Sequence, residues 1–136
     1  MPESGALPPP AGFIPAAGLS SRMGSPKALL RIGGAPFLTR AVRALRDGGC
    51  APIIVSVRDP GDDIGLLALS EADRVVIPAD PTLGPIAGLQ AALPHVDPGA
   101  GGIVVLPVDH PLVTPGTVRA LIAAAADPGA QIVLPT

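Results

Sequence analysis

An α/β fold with a mostly parallel sheet is predicted by two features of this 136-residue sequence: short β-branched runs, and helical patterns between them. Such runs, rich in Val and Ile, are typical of strands that are buried in parallel sheets. They occupy 53–57, 74–77, 102–106 and 131–134. The helical patterns occupy 36–47, 62–70, 85–93 and 115–126. Because strand and helix alternate, right-handed crossovers and helices on both faces are expected, which is a three-layer Rossmann-like architecture.

The first strand is predicted around a short apolar run, Phe13 and Ile14. Pro15 follows this run directly, and a proline cannot donate a hydrogen bond to a neighbouring strand. We therefore expect the first strand to be weakened at Pro15 and to end early there.

The predicted helices have recognisable ends. Proline is tolerated in a first helical turn, where its missing N–H would have no partner within the helix. Prolines in such positions are Pro36, Pro85 and Pro115. Thr114 suits the N-cap of the last helix, and Gly48 with Gly49 is expected to end the first one.

The composition indicates one globular domain with a loose N-terminus. Proline and glycine are frequent, at 19 and 17 residues, but hydrophobic residues make up 48% of the chain. Three consecutive prolines at 8–10 follow a polar start. We expect 1–10 to be a flexible tail and 11–136 to form the domain.

Charge and aromatic content argue against a nucleic-acid partner. The formal net charge is −2, the Lys and Arg residues are scattered, and the sequence has two Phe but no Trp or Tyr on which bases could stack. No apolar stretch reaches the roughly 18 residues of a membrane helix, and the N-terminus lacks the features of a signal peptide. We therefore expect no membrane partner and a cytoplasmic location. Cys50, the only cysteine, is expected to be a small buried hydrophobe.

The most informative segment for function is 16–27, which follows the first strand and reads Ala-Ala-Gly-Leu-Ser-Ser-Arg-Met-Gly-Ser-Pro-Lys. Gly18 and Gly24 allow backbone N–H groups to turn inward, and the cations of Arg22 and Lys27 can neutralise a polyphosphate. Neither G-x-x-x-x-G-K-[ST] nor G-x-G-x-x-G is present. The segment predicts a phosphate-binding loop rather than a glycine-rich surface turn.

The pattern Ala-Ala-Gly-x-Ser-x-Arg-Met-Gly-x-x-Lys resembles the signature loop of the MobA-like nucleotidyltransferases, which attach a nucleotide to molybdopterin. More widely, it is similar to the loop of sugar-nucleotide and cytidylyl transferases. The resemblance covers about residues 12–136 and implies a fold of the nucleotide-diphospho-sugar transferase type. It also implies that the nucleotide is bound by six loop residues: Ala16, Ala17, Gly18, Ser20, Arg22 and Lys27.

Asp109 is the candidate metal ligand. It follows the predicted strand 102–106, and ligands of open parallel sheets bind beyond the carboxyl ends of the strands. A carboxylate here could hold Mg²⁺ against phosphates bound by the loop, although an Asp before a turn could also be a cap. The segment is similar to the family's Asp-x-Pro-Leu-Val stretch, whose aspartate carries the metal. Its neighbour His110 is expected to be a spacer or a surface group.

A third segment, 80–89, leads into the helical pattern 85–93. Its small residues could simply allow close packing of a helix on the sheet. Alternatively, the start of this helix could close one wall of a nucleotide pocket. The guanylyltransferase branch of the family has a similar Gly-Pro-Leu-Ala-Gly after an acidic residue. This resemblance implies that Gly84 and Gly88 line the nucleotide pocket and that Asp80 and Ser56 contact the base or ribose.

The nucleobase stays open, because the first loop resembles the cytidylyltransferase branch whereas 84–88 resembles the guanylyltransferase branch. The leading hypothesis is a nucleotidyltransferase that moves a nucleoside monophosphate from CTP or GTP to a phosphorylated acceptor such as molybdopterin and releases pyrophosphate. Arg22 and Lys27 would polarise the phosphates, and Asp109 would hold Mg²⁺; these are the catalytic candidates.

Two alternatives stay open: a truncated nucleotide-binding module without turnover, and a sugar-phosphate or polyol-phosphate nucleotidyltransferase. Members of the family continue beyond the point that corresponds to Thr136, with a segment that contacts the acceptor and adds a second acidic metal ligand. We therefore expect the NTP-binding domain at 11–136 to be incomplete at its C-terminus and poorly active by itself.

Overall fold

The computed structural model describes residues 9–17, 29, 31–80, 85–97, 99, 102–108, 113–125 and 132–133. The strands are β1 (Ala11–Pro15), β2 (Arg31–Ile32), β3 (Ala35–Pro36), β4 (Ile53–Ser56), β5 (Arg74–Val76), β6 (Ile103–Val105) and β7 (Ile132–Val133). The α-helices are α1 (Phe37–Asp47), α2 (Asp63–Glu71), α3 (Pro85–Ala92) and α4 (Pro115–Ala125), and a 3₁₀ turn, Leu93–His95, follows α3. None of the described helices is both long and apolar enough to cross a membrane.

The main sheet has five strands in the order β5-β4-β1-β6-β7. All of its pairings are parallel: β1 pairs with β4 and with β6, β4 with β5, and β6 with β7. The chain adds strands first on one side of β1 and then on the other, so the order reverses between β1 and β6. Ligands of open α/β sheets bind at the carboxyl ends of the strands at such a point. The prediction of a mostly parallel sheet is confirmed.

Helices cover both faces of this sheet, which confirms the predicted three layers. Successive side chains of a strand point to opposite faces. Ile14 and Val55 belong to the larger hydrophobic cluster, which includes buried residues of α1, α2 and α4. Phe13 and Ile54 belong to a second cluster with Ala92 of α3. Therefore α1, α2 and α4 lie on one face and α3 lies on the other.

The central strand β1 extends through Pro15, so the prediction that it ends early there is wrong. The hydrogen bonds of β1 alternate between its two neighbours. Ala16 N donates to Ser56 O of β4 at 2.9 Å, whereas Ala11 N donates to Gly102 O, on the β6 side. By this alternation Pro15 faces β6. Its missing N–H removes one possible bond at the end of that pairing and leaves the pairing with β4 intact.

A two-stranded antiparallel hairpin, β2 with β3, precedes α1. Its turn is formed by Gly33 and Gly34, whose φ angles of 60° and 84° favour glycine. The helical pattern predicted from residue 36 did not include this hairpin, although two consecutive glycines are a signal for such a turn. Pro36 therefore pairs in β3 and lies one residue before α1, whereas Pro85 and Pro115 begin their helices as predicted.

The other predicted helix ends are confirmed. At the end of α1, Gly48 N donates to Ala44 O at 3.0 Å, and Gly49 has a φ of 110° that takes the chain out of the helix. At the start of α4, Thr117 N donates to Thr114 Oγ1 at 3.2 Å, so Thr114 is an N-cap.

Cys50 is buried, with 3% of its surface exposed, as expected of a small hydrophobe. Burial raises the pKa of its thiol from 9.0 to about 11, because the charged thiolate is disfavoured away from water. The thiol is therefore protonated at neutral pH and belongs to the core as a structural group.

Replacing Gly48 by alanine is expected to destabilise the packing of α4 on α1. A Cβ at this position would lie 2.5 Å from Val118 Cβ and 2.8 Å from Ala44 O, so one of the helices would have to move. Overpacking of this kind costs about 1–3 kcal/mol. Urea unfolding should therefore give a lower free energy of unfolding for Gly48→Ala than for the wild type.

Gly116→Ala is the matched control for Gly48→Ala. Its Cβ would come no closer than 3.6 Å to a neighbour, at Thr114 Oγ1, and alanine is a better helix former than glycine. This control should be as stable as the wild type or more stable. A Gly48→Ala protein that is as stable as Gly116→Ala would contradict the close contact between α1 and α4.

Candidate functional site

The structure describes part of the predicted site. The described members are Ala16, Ala17, Ser56, Asp80 and Gly88. The members that lie outside the described residues are Gly18, Ser20, Arg22, Lys27, Gly84 and Asp109. The roles of this second group stay predictions. The structure describes only the strands and chain segments that precede them in sequence.

The pairing of β1 with β6 brings the strand ends that precede the two predicted catalytic segments together. The strands are parallel, with Phe13 opposite Val105, so their carboxyl ends lie at the same edge of the sheet. The described chain continues to Ala17 from one strand and to Val108 from the other. The next residues in sequence are the predicted phosphate-binding loop and Asp109. The strand predicted at 102–106 therefore lies beside the first strand.

Ser56 is the last residue of β4 and contacts the chain as it leaves β1. Ala16 N donates to the main-chain oxygen of Ser56 at 2.9 Å and to its Oγ at 3.3 Å. Only 1% of Ser56 is exposed, whereas a residue that contacts a nucleotide directly needs an accessible polar atom. Contact between Ser56 and the base or ribose stays a prediction, and the contact that the structure describes is with Ala16.

Gly88 of α3 packs closely against Ser56. A Cβ at residue 88 would lie 2.8 Å from Ser56 Oγ, 3.0 Å from Ser56 Cβ and 3.1 Å from Phe13 Cζ. The absence of a side chain therefore lets α3 approach the sheet at the carboxyl end of β4. This supports the prediction that small residues in 80–89 allow close packing, and any contact of Gly88 with a nucleotide stays a prediction.

Asp80 lines a cavity of about 330 Å³ between the segment that follows β5 and helix α3. The other lining residues are Ile77, Ala79, Ala87, Gln90 and Ala91. Its volume is at the lower end of the range for small-ligand pockets. Gln90 was not singled out from the sequence, because an amide on a helix carries no functional signal until a cavity is found beside it.

A second cavity, of about 240 Å³, lies between α1 and the start of α4. It is lined by Arg40, Arg43, Ala44, Asp47, Val113, Thr114 and Pro115. The arginines were not predicted as functional, and their spacing of three residues on one helix is the signal that places them on the same side of α1.

No metal cluster is found among the described residues: nowhere in this part of the chain do three or more His, Cys, Asp or Glu side chains come close enough to hold an ion. The predicted ligand Asp109 lies outside the described residues. What the structure adds to the metal prediction is the position of β6, the strand before Asp109, which ends beside β1.

Substitution of Gly88 tests the junction between α3 and the sheet. Gly88→Ala should lower the free energy of unfolding by about 1–3 kcal/mol, because the added Cβ meets Ser56 and Phe13. In a Ser56→Ala background the nearest atom, Oγ, is gone, so the same substitution should cost less. The coupling between the two substitutions should be about 0.5–3 kcal/mol, measured by urea unfolding of the four proteins.

The control for this cycle combines Ser56→Ala with Gly116→Ala, whose free energies of unfolding should add, because residue 116 is on a helix of the opposite layer. Additive free energies for Ser56→Ala and Gly88→Ala would mean that a side chain at residue 88 does not contact the Ser56 hydroxyl.

The comparisons with known proteins agree with this geometry. The sequence pattern of the MobA-like NTP transferase domain matches residues 12–136. The molybdenum cofactor guanylyltransferase of Rhizobium meliloti is 41% identical over 108 residues, which is 76% of this chain and 47% of that protein. The 2-C-methyl-D-erythritol 4-phosphate cytidylyltransferase of Streptomyces coelicolor is 37% identical over 134 residues, or 92% of this chain and 48% of that protein. The chain thus spans about half the length of these relatives.

A solved structure has the same architecture. Rv0371c from Mycobacterium tuberculosis superimposes with a TM-score of 0.70 at 31% sequence identity, over 87% of this chain and 62% of that one. The same mycobacterial protein was also crystallised as a complex with manganese. The sheet with helices on both faces is the fold of the nucleotide-diphospho-sugar transferases. By its sequence pattern and its relatives, the chain belongs to the MobA-like NTP transferase domain family.

Proposed function

We propose that this chain forms the nucleotide-binding part of a nucleotidyltransferase, which moves a nucleoside monophosphate from CTP or GTP to a phosphorylated acceptor. The observation that supports this most is the parallel pairing of β1 with β6, because the strand ends before the phosphate-binding loop and before Asp109 share one edge of the sheet. Membership of the family supports the same reaction.

The proposed reaction is an in-line transfer. An oxygen of the acceptor phosphate attacks the α-phosphorus of the NTP and forms a new P–O bond, while the bond between the α-phosphorus and the bridging oxygen breaks and pyrophosphate leaves. Such a transfer depends on positioning and on compensation of negative charge. The backbone at Gly18 and the cations of Arg22 and Lys27 hold the triphosphate and offset its charge, with Ala16, Ala17 and Ser20 in the same loop.

A divalent cation fits the proposed site. Asp109 offers carboxylate oxygens, and Mg²⁺ is usually held by one or two carboxylates together with substrate phosphates. The sheet supports this role, since Val108 is the last described residue before Asp109 and follows β6, next to the end of β1. When bound, Mg²⁺ neutralises charge on the phosphates. The manganese complex of the mycobacterial relative supports a divalent metal as well.

The relatives support two classes of acceptor. The name of the Rhizobium relative supports molybdopterin with GTP, and the name of the Streptomyces relative supports a polyol phosphate with CTP. We propose molybdopterin as the first acceptor to test. Asp80 is proposed to contact the base or ribose, and Gly84 and Gly88 are proposed to line the nucleotide pocket. The proposed location is the cytoplasm, where nucleoside triphosphates are available.

Pyrophosphate release tests the proposed reaction. The protein is incubated with Mg²⁺, with CTP or GTP, and with molybdopterin or 2-C-methyl-D-erythritol 4-phosphate. Release that requires both an NTP and an acceptor supports the transfer. NTP binding with release near background is the result expected if residues 11–136 are poorly active by themselves, and a protein that binds no NTP would contradict both the transferase and the nucleotide-binding module.

Lys27 is the only lysine in the sequence, so Lys27→Ala removes a single defined cation from the loop. Loss of a charge-assisted contact to phosphate costs about 1.5–3 kcal/mol, so NTP affinity should fall at least about tenfold. Arg74→Ala is the control, because this exposed arginine begins β5 at the opposite edge of the sheet. Calorimetric titration with CTP and GTP measures the effect, and an unchanged affinity of Lys27→Ala would exclude the phosphate role.

Asp109→Asn should abolish the Mg²⁺-dependent part of NTP binding while the fold is kept, because the amide preserves the shape of the side chain and loses its charge. The control is Asp97→Asn, since the exposed Asp97 accepts a hydrogen bond from Gly99 N at 2.8 Å and an amide oxygen can still accept it. NTP titrations with and without Mg²⁺ measure the metal-dependent part of binding in both variants. Mg²⁺ dependence that survives in Asp109→Asn would place the metal on other residues, and loss of folding would identify Asp109 as a structural cap.

A further inference from the structure

Ser56 differs from the other residues of its strand. β4 reads Ile-Ile-Val-Ser, all four residues are buried, and Ser56 is the one with a polar side chain. Within the described part of the chain, its hydroxyl has no side-chain partner and accepts from Ala16 N, which already donates to the main-chain oxygen of the same residue. The main-chain oxygen and the hydroxyl of Ser56 therefore both accept from the same N–H, that of Ala16, at the point where the chain leaves β1.

We propose that Ser56 is a positioning residue that fixes the start of the nucleotide-binding loop through Ala16. The proposal rests on the proposed function, since it assigns Ser56 a part in nucleotide binding without contact between its side chain and the nucleotide. It differs from the role implied by family resemblance, in which Ser56 contacts the base or ribose.

Pro15 explains why the chain needs this attachment. By the alternation along β1, residue 15 faces β6, and a proline has no N–H to donate there. Just before the loop begins, the described chain is therefore held on the β4 side, where Ala16 N meets Ser56. The hydroxyl adds a second acceptor at the place where the pairing with β6 has lost a donor.

The position of the Ser56 hydroxyl is itself restricted. Gly88 of α3 packs closely against it, since a Cβ at residue 88 would lie 2.8 Å from Oγ. Ser56 is 1% exposed, so its hydroxyl is withdrawn from solvent and from direct contact with a bound nucleotide in this arrangement. Burial keeps water from competing for the bond to Ala16, and the rigid setting lets Ser56 orient the backbone that follows.

A fixed start matters for a loop that binds phosphate with backbone N–H groups. Affinity falls in proportion to the fraction of molecules in which the binding arrangement is present. Loss of one neutral hydrogen bond lowers the equilibrium constant for this arrangement by about three- to tenfold, and the fraction falls by that factor when the arrangement is the less populated one. Because the effect acts on the loop and not on the base, it should be the same for every nucleotide.

The experiment compares Ser56→Ala with the wild type in calorimetric titrations with GTP, with CTP and with inorganic tripolyphosphate, each with Mg²⁺. The expected result is a loss of affinity of about three- to tenfold that is equal for all three probes. In ¹⁵N-labelled protein, the amide of Ala16 should shift and exchange its hydrogen faster in the variant, because it has lost one acceptor. Ser56→Cys keeps a weak acceptor, so its affinity for the probes should lie between those of Ser56→Ala and the wild type.

Thr39→Ala is the matched control. Thr39 is also buried, at 3% exposure, and its Oγ1 donates to Glu71 Oε2 at 3.3 Å, between helices of the larger layer. Like Ser56→Ala, this variant loses one buried hydroxyl with its hydrogen bond, and it should keep the wild-type affinity for all three probes. A loss of affinity in Thr39→Ala equal to that in Ser56→Ala would mean that destabilisation alone accounts for the effect and would overturn the proposal.

Other outcomes overturn the proposal in distinguishable ways. A loss confined to GTP or to CTP, with tripolyphosphate unchanged, would show that Ser56 reads the base. Unchanged affinity for all three probes would show that the hydroxyl has no part in binding. If the wild type binds none of the probes, the proposed function fails and this proposal fails with it.

Discussion

The parallel hydrogen bonding of β1 to strands on both sides is the constraint on which the rest of the structure depends. β1 pairs with β4 over Gly12 to Pro15 and with β6 over Ala11 to Phe13. Its side chains pack into a different hydrophobic cluster on each face of the sheet, with Ile14 on one and Phe13 on the other. Because parallel neighbours end at the same edge, the segments that follow β1, β5 and β6 all begin there, and the proposed site is built from these segments together with Ser56 at the end of β4.

The two helix layers approach the sheet in different ways. On the face that is covered by α1, α2 and α4, Gly48 lies against Val118, and a Cβ at residue 48 would leave no room between α1 and α4. On the other face α3 lies on the sheet at Gly88, with Ser56 and Phe13 directly beneath. The second contact is at the carboxyl edge of β4. It therefore links the packing of a helix to the geometry of the chain that leaves β1. The Ser56 hydroxyl takes part in both, because it lies against Gly88 and accepts from Ala16 N.

Much of the architecture could be predicted, because strands that are buried on both faces need apolar residues at every position. Ile53, Ile54 and Val55 form such a run, and the structure places them in β4 with no measurable exposure. The helix ends at Gly48 and Thr114 could also be predicted, since caps depend on local hydrogen bonds. Pro15 was misjudged because the cost of a proline depends on which neighbour it faces, and that depends on register. The hairpin β2–β3 was missed because its two-residue strands are too short for a periodic pattern.

The sequence by itself determined which chemical groups are available to the proposed site. The glycines, the cations at Arg22 and Lys27, and the acid at Asp109 occur in a pattern that is recognisable from the order of the residues alone. The tertiary structure decided how residues distant in sequence meet. It set β6 beside β1, and it placed Gly88 over Ser56 and the hydroxyl of Ser56 against Ala16 N, 40 residues away. The physical reason is that strand order, register and helix approach are fixed by packing of the whole chain. A serine at the end of an apolar strand has the same local sequence whether it faces a ligand or a backbone amide.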